Sequence, residues 1–357
     1  MEGIPSVSRN IGIRDPWTSP LVPRPCRSPL PFAGHARSHR GRRAGTLACP
    51  SPRSRMPPIP SWLRIALLLA LVASNVVLHV VPLLLVALVK ALLPWGPARR
   101  ICNRLLSGIA ESWIGANNLM LDRFTDTRVE VTGTVPLARE GRYLVLANHQ
   151  SWVDILVLQH VFNRRIPLLR FFLKSQLFWV PLLGLAWWAL DFPFMKRYSR
   201  RVLARRPELA GRDVAATRRA CERFRAMPVA MMNFVEGTRF SEAKRDATAS
   251  PYRFLLRPKS GGVAFVLDAM GDALQSVLDV TIAYPGRRPG MLDLLGNRIG
   301  EVRVDVRERP IPAELLAGDY ASQPAFRARF QQWLNGIWID KDAAMARLGA
   351  DESRTAP

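Results

Sequence analysis

Tyr143-Leu144-Val145-Leu146-Ala147-Asn148-His149-Gln150-Ser151-Trp152-Val153-Asp154 decides the fold. Five apolar residues in a row read as a buried strand, the pattern of a sheet covered on both faces. The run ends in a polar turn, after which Ile155–Phe162 reads as a helix. Outward from it, Arg128–Thr132, Leu168–Leu173, Ala189–Phe194, Val229–Phe234, Val277–Ala283 and Glu301–Arg307 read as strands. Asp213–Arg225, Gly261–Met270 and Phe326–Leu348 read as helices, and no internal repeat is present. Strands alternating with helices predict an α/β domain with a central, mostly parallel sheet flanked by helices.

Upstream, Ile65 to Val89 contains no Asp, Glu, Lys or Arg. That is longer than the roughly 20 residues a spanning helix needs. Trp62 and Arg64 stand at one end and Lys90, Trp95, Arg99, Arg100 and Arg104 at the other, where interfacial anchors belong. The expectation is an N-terminal transmembrane helix over residues 62–95, with Pro82 leaving a kinked or re-entrant course open. The larger basic cluster follows it, which places the globular part on the cytoplasmic side of an inner membrane.

Of the 357 residues, 51 are basic and 28 acidic, a net charge of +23. Residues 1–55 hold ten Arg against Glu2 and Asp15, so this segment carries +8 of that charge. Rich also in Pro, Ser and Gly, it cannot bury enough apolar surface to offset its ordering entropy and is expected to be disordered. A basic arm and an over-extended start upstream of Met56 both account for it. The expected organisation is then residues 62–95 as membrane helix, 125–312 as catalytic domain and 313–357 as a helical segment. The arginines are dispersed and no nucleic-acid-binding motif is present, so no nucleic-acid partner is expected. Cys26, Cys49, Cys102 and Cys221 include no CxxC pair, and with His35 and His39 they match no familiar zinc spacing, so no metal is expected.

His149 and His160 are the histidines of the globular part. Imidazole suits the end of a buried strand because it can accept a proton from a hydroxyl near neutral pH and release it again. Asp154, five residues on, can meet His149 only if the histidine lies in the turn before the helix. There its carboxylate would fix the imidazole tautomer. Helix capping from the Ser151 and Asp154 pattern is the competing reading. A second polar turn, Glu236-Gly237-Thr238-Arg239, follows the strand Val229–Phe234. Gly237 permits close approach of the backbone, and Thr238 and Arg239 offer hydrogen bonds suited to phosphate. Glu236 reads as an organiser of neighbouring groups, while Lys174 and Lys196-Arg197 are further cations that could join an anion site. The sequence holds no G-x-S-x-G elbow, Walker A loop, G-x-G-x-x-G or H-E-x-x-H. A histidine base without a placed Ser or Cys nucleophile points to a substrate hydroxyl as the attacking group.

Taken together, His149-x4-Asp154, the Lys174–Arg197 block, Phe234-Val235-Glu236-Gly237-Thr238-Arg239 and Val280-Thr281-Ile282-Ala283-Tyr284-Pro285 resemble, in order, the motifs of the lysophosphatidate (glycerophospholipid) acyltransferase superfamily. The run Ala189–Tyr198 is most similar to the subgroup with bacterial and eukaryotic long-chain lysophospholipid acyltransferases. The resemblance implies His149 as general base and Asp154 as its partner. It implies Glu236, Gly237, Thr238, Arg239 and Lys174 as ligands of the substrate phosphate, and Pro285 as a shaper of the acyl or acceptor site. The implied reaction moves a fatty acyl group from acyl-CoA or acyl carrier protein, as co-substrates, to a lysophospholipid hydroxyl in the membrane. It needs no cofactor. The expected acceptor is 1-acyl-glycerol-3-phosphate, with lysophosphatidylglycerol or lysocardiolipin as alternatives and a silent membrane scaffold as a distant one.

Overall fold

The computed structural model describes residues 59–349 apart from 94, 134–135, 196–204, 206–223, 226 and 321. The expectations for residues 1–55, for Lys196-Arg197 and for all but the last two residues of the Asp213–Arg225 helix lie outside the described residues. Two helices open the described part, α1 (Ser61–Leu92) and α2 (Gly96–Phe124). There follow β1 (Arg128–Thr132), β2 (Arg142–Ala147), α3 (Val153–Phe162), β3 (Leu169–Phe171), β4 (Leu173–Lys174), α4 (Leu183–Ala189) and β5 (Phe194–Met195). The remainder is β6 (Val229–Phe234), α5 (Glu242–Ala247), α6 (Ser260–Met270), β7 (Ser276–Ala283), α7 (Met291–Leu295), β8 (Glu301–Arg309) and α8 (Pro324–Arg347).

Six strands form one sheet in the order β1-β8-β7-β2-β6-β3. All neighbours are parallel except β7 and β8, so the fold is α/β with a mostly parallel sheet. Period-two alternation divides each central strand between two cores. Leu144 and Leu146 of β2 join Val229, Met231 and Val277 on the face covered by α6 and α8. Tyr143, Val145 and Ala147 join Ala230, Leu278, Val280 and Ile282 on the face covered by α3. Ala147 pairs with Phe234 of β6 and with Val280 of β7, so the carboxyl ends of three central strands emerge side by side. Open α/β sheets bind ligands at that edge.

One expected strand is not formed. Over Ala189–Phe194, Ala189 closes helix α4 and only Phe194 pairs, as part of the short β4–β5 ladder. Packing decides this: Ala186 and Ala189 are buried against Val80 and Leu83 of α1. Gly184 lets the turn of α4 press on the Phe178 carbonyl, where a Cβ would come within 1.8 Å of the oxygen. Asp191, with φ of 60°, then breaks the chain direction.

Phe326, Phe330, Leu334, Ile337, Trp338 and Met345 make one apolar stripe on α8, at helical spacing. Within that stripe stands Lys341, fully buried. Its ammonium pairs with Asp279, itself buried in β7, and donates to the Val280 carbonyl at 2.6 Å. Asp279 is shared with Arg309 of β8 at 2.8 Å. Burial lowers the Lys341 pKa and Asp279 works against that shift. Removing one partner of a buried pair leaves an uncompensated charge, at a cost of about 3–5 kcal/mol. We predict that Lys341→Met lowers the melting temperature by roughly 10 °C. A thermal melt within a degree or two of the parent would show that α8 is held by its apolar stripe alone.

Candidate active site

The site begins where β2 ends. Asn148, buried, donates through Nδ2 to the Ile282 carbonyl at 2.9 Å and accepts from the Ile282 N–H at 2.8 Å. This side chain continues the β2–β7 pairing one residue past the ladder and holds the following turn in place. His149 stands in that turn and Asp154 in the first turn of α3, the arrangement their spacing requires. His149 Nδ1 lies 2.9 Å from Asp154 Oδ2. The same oxygen accepts from the backbone N–H of Gln150 at 2.6 Å and of Ser151 at 2.9 Å. Asp154 Oδ1 accepts from the Tyr284 hydroxyl at 2.6 Å. Asp154 therefore both ties down the turn that leads into α3 and holds the histidine. A carboxylate at Nδ1 makes that nitrogen the donor and leaves the Nε2 lone pair as the ring's base. The ring stacks on Phe234, with centroids 3.8 Å apart and planes 13° apart. Its side chain is 12% exposed, enough for Nε2 to meet a substrate while most of the ring is dry.

The second turn is tied to the first. Glu236 Oε1 accepts from the His149 N–H and Oε2 from the Leu256 N–H, each at 3.0 Å. The Phe240 N–H donates to the His149 carbonyl at 2.7 Å. Burial pushes the Glu236 carboxyl up to about 8, against the two N–H donors that favour its charge; Asp154 adds to the rise and Lys341 opposes it. With both oxygens spent on the backbone and no exposure, Glu236 organises the turn.

Gly237 has φ of 70°, a conformation that favours glycine, and Lys259 covers it: a Cβ there would lie 3.2 Å from Lys259 Nζ. Thr238 Oγ1 accepts from Lys244 Nζ at 2.9 Å, and the same ammonium donates to the Arg239 carbonyl at 2.9 Å. Arg239 is exposed, its guanidinium 4.9 Å from the Trp152 ring centroid. Three cations thus surround one turn, and two of them, Lys244 and Lys259, escaped the sequence reading. Lys244 reaches it from α5, directly after the turn, and Lys259 through a fold-back of the chain. Lys174 is exposed on β4, in the small two-stranded sheet rather than the main one. Pro285 directly follows Tyr284 at the end of β7, half-buried, before Gly286 turns the chain with φ of 84°. Pro289 in the same loop accepts from Ser151 Oγ at 2.5 Å. Tyr284 was legible only as part of an apolar strand ending in proline. Among the described residues no group of three His, Cys, Asp or Glu is placed to hold a metal ion.

Fold and site define a class: an α/β domain whose strand ends carry a carboxylate-held histidine beside a cationic turn. Residues 128–285 match the family model described as Acyltransferase. A probable 1-acyl-sn-glycerol-3-phosphate acyltransferase 5 of Arabidopsis thaliana is 28% identical over 58% of this chain and 56% of its own length. Lysocardiolipin acyltransferase 1 of Danio rerio is 27% identical over 67% of this chain and 61% of its own. The chain thus spans somewhat over half the length of these curated relatives. The solved 1-acyl-sn-glycerophosphate acyltransferase of Thermotoga maritima is 18% identical, with a TM-score of 0.45 over 79% of this chain and 98% of the other.

Glu236 generates a pH prediction. Its folded pKa of about 8 lies above the roughly 4.3 of an unfolded glutamate. Its contribution to stability is fully present below the unfolded value and is lost as pH rises through the folded one. We predict that Glu236→Gln, which keeps one acceptor oxygen, flattens the fall in melting temperature between about pH 5 and 8. Parallel curves for parent and variant would mean that Glu236 is ionised throughout.

Proposed function

We propose that the chain is an O-acyltransferase that moves a fatty acyl group from a thioester, acyl-CoA or acyl carrier protein, to a lysophospholipid hydroxyl. The acceptor in this reading is 1-acyl-glycerol-3-phosphate and the product phosphatidic acid. The observation that carries it is the His149–Asp154 pair, 2.9 Å apart, with Nε2 left as the base. Nε2 takes the proton of the acceptor hydroxyl as its oxygen attacks the thioester carbonyl, and Asp154 steadies the imidazolium. The carbon–sulfur bond then breaks and the proton passes to the departing thiolate. The thioester supplies the activation, so this proton transfer calls on no resident cofactor or metal.

The acceptor follows from charge. A phosphate monoester carries more negative charge than a diester, and the turn at Gly237, Thr238 and Arg239 gathers the Lys244 and Lys259 ammoniums around it. Lys174 joins from β4, and Pro285 shapes the wall beyond Tyr284. The relatives' names support a lysophospholipid acceptor and favour a second reading, lysocardiolipin, in which the same turn holds a diester. The apolar outer side of α1, where Leu78, Leu85, Leu88 and Leu92 are exposed, meets membrane lipid. We place the protein on the inner membrane with its catalytic domain in the cytoplasm, the strand-end site facing the lipid that supplies the acceptor.

Two outcomes are expected. His149→Ala abolishes acyl transfer from labelled acyl-CoA or acyl carrier protein while the thermal melt stays intact; unchanged turnover would sink the mechanism. Arg239→Ala lowers kcat/KM for lysophosphatidate roughly 10- to 100-fold, the worth of a charge-assisted hydrogen bond. Because Arg239 is exposed, the melting temperature should hold. A panel of lysophospholipids decides between acceptors, since product from lysocardiolipin alone would select the second reading.

A further inference from the structure

We propose that Tyr284 is a positioning residue for the base: its hydroxyl fixes the Asp154 carboxylate in the rotation that turns Oδ2 toward His149. This rests on the acyltransferase reading above. The argument starts in β7, where Leu278, Val280 and Ile282 point to the core under α3 and Leu278 to Tyr284 continue that two-residue period. Tyr284 therefore projects beneath α3, whose first turn carries Asp154. Asn148 pins Ile282, two residues before Tyr284, through two hydrogen bonds, so the end of β7 cannot slide against the end of β2. Across the loop that follows, Ser151 donates to the Pro289 carbonyl. The ring is thus held on both sides and its hydroxyl is delivered to one place, 2.6 Å from Oδ1.

The two oxygens of Asp154 are not equivalent. Oδ2 receives His149 Nδ1 and two backbone N–H groups, while the Tyr284 hydroxyl is the hydrogen bond that the described residues give Oδ1. Asp154 has no exposure, so water does not replace that donor. Without it Oδ1 is left unpaired and the carboxylate is freer to rotate away from the imidazole. The titratable groups around the carboxylate are His149 from the turn after β2, Tyr284 from β7 and Glu236 from the turn after β6, with Lys341 of α8 beyond Glu236. Burial and the neighbouring carboxylate push the phenol pKa well above its usual value, so Tyr284 keeps its proton and serves only as donor.

The test is Tyr284→Phe, which removes one oxygen and leaves the ring. Activity is read with labelled acyl donor and lysophosphatidate, beside the parent and His149→Ala. The expected result is a kcat lowered about 10-fold or more with KM for the acceptor held within about twofold, because hydrogen bonds to charged groups carry that weight. A second readout needs no substrate: the downfield proton resonance of the His149 Nδ1–H, identified by its loss in His149→Ala, should shift in Tyr284→Phe. Should that variant fail to fold, 3-fluorotyrosine at 284, isosteric and a stronger donor, should shift the resonance in the opposite direction. A kcat within twofold of the parent, or a lowered kcat with an unmoved resonance, overturns the assignment. A parent protein inactive on every acceptor overturns the functional reading, while the resonance still decides the role of Tyr284.

Discussion

A carboxylate sealed from water has to be met by donors, and the arrangement around Asp154 follows from that requirement. Burying an unpaired charge would cost several kcal/mol or drive the group to neutrality. Four donors meet it here: an imidazole, two backbone N–H groups of the preceding turn and a phenol from β7. Each places a demand on the fold. The backbone donors require the tight turn Asn148–Ser151, the phenol requires the carboxyl end of β7 to lie beside that of β2, and the imidazole is then left one orientation. The Ala147–Val280 register and the Asn148–Ile282 bonds supply that adjacency. The site is less an addition to the sheet than the way its central strands end.

The second turn obeys the same logic with the opposite charge in view. Glu236 is spent on the N–H groups of His149 and Leu256, binding the base's own backbone to the segment that leads to Lys259. This leaves the rim of the turn to Arg239, Lys244 and Lys259, with no carboxylate of the turn itself facing outward. A neutral anchor could make the same two backbone bonds. A carboxyl that burial holds near 8 takes up its charge within reach of neutral pH, beside the buried Lys341. Lys341 in turn contacts the carbonyl of Val280 in β7, so α8 reaches the strand ends through charge as well as through its apolar stripe.

What the sequence showed depended on distance along the chain. His149 and Asp154 are five residues apart, Glu236 to Arg239 are contiguous, and the strands beneath them are unbroken apolar runs, so these were legible as local patterns. Lys341 and Asp279 are not, because a lysine in an amphipathic helix reads as solvated until the sheet is seen to offer it a carboxylate. Lys259 likewise gains meaning only when the chain folds back on Gly237. The misread segment, Ala189–Phe194, is short and apolar, and such runs do not choose between helix and strand by themselves. Contact with α1 chose, through Ala186 and Ala189 against Val80 and Leu83.

That contact also bears on how the apolar N-terminal helix relates to the α/β domain. Asn75 of α1 donates to the Trp113 carbonyl and to Asn117 Oδ1 of α2 at 3.2 and 2.9 Å, and Lys90 pairs with Asp191 beyond α4 at 2.9 Å. The facing side of α2 is committed elsewhere: Glu111 pairs with Arg139, and its carbonyl accepts from Asn163 after α3. In a low-dielectric surrounding such polar links are costly to leave unmade, so α1 cannot leave its partners without exposing Asn75 and Lys90 unpaired. Its exposed face, with Trp62, Leu78, Leu85 and Leu92, continues toward Leu185 and Trp188 of α4, which packs beside it. The exposed apolar surface is therefore shared between α1 and α4. The same packing that made α4 a helix joins these two apolar faces.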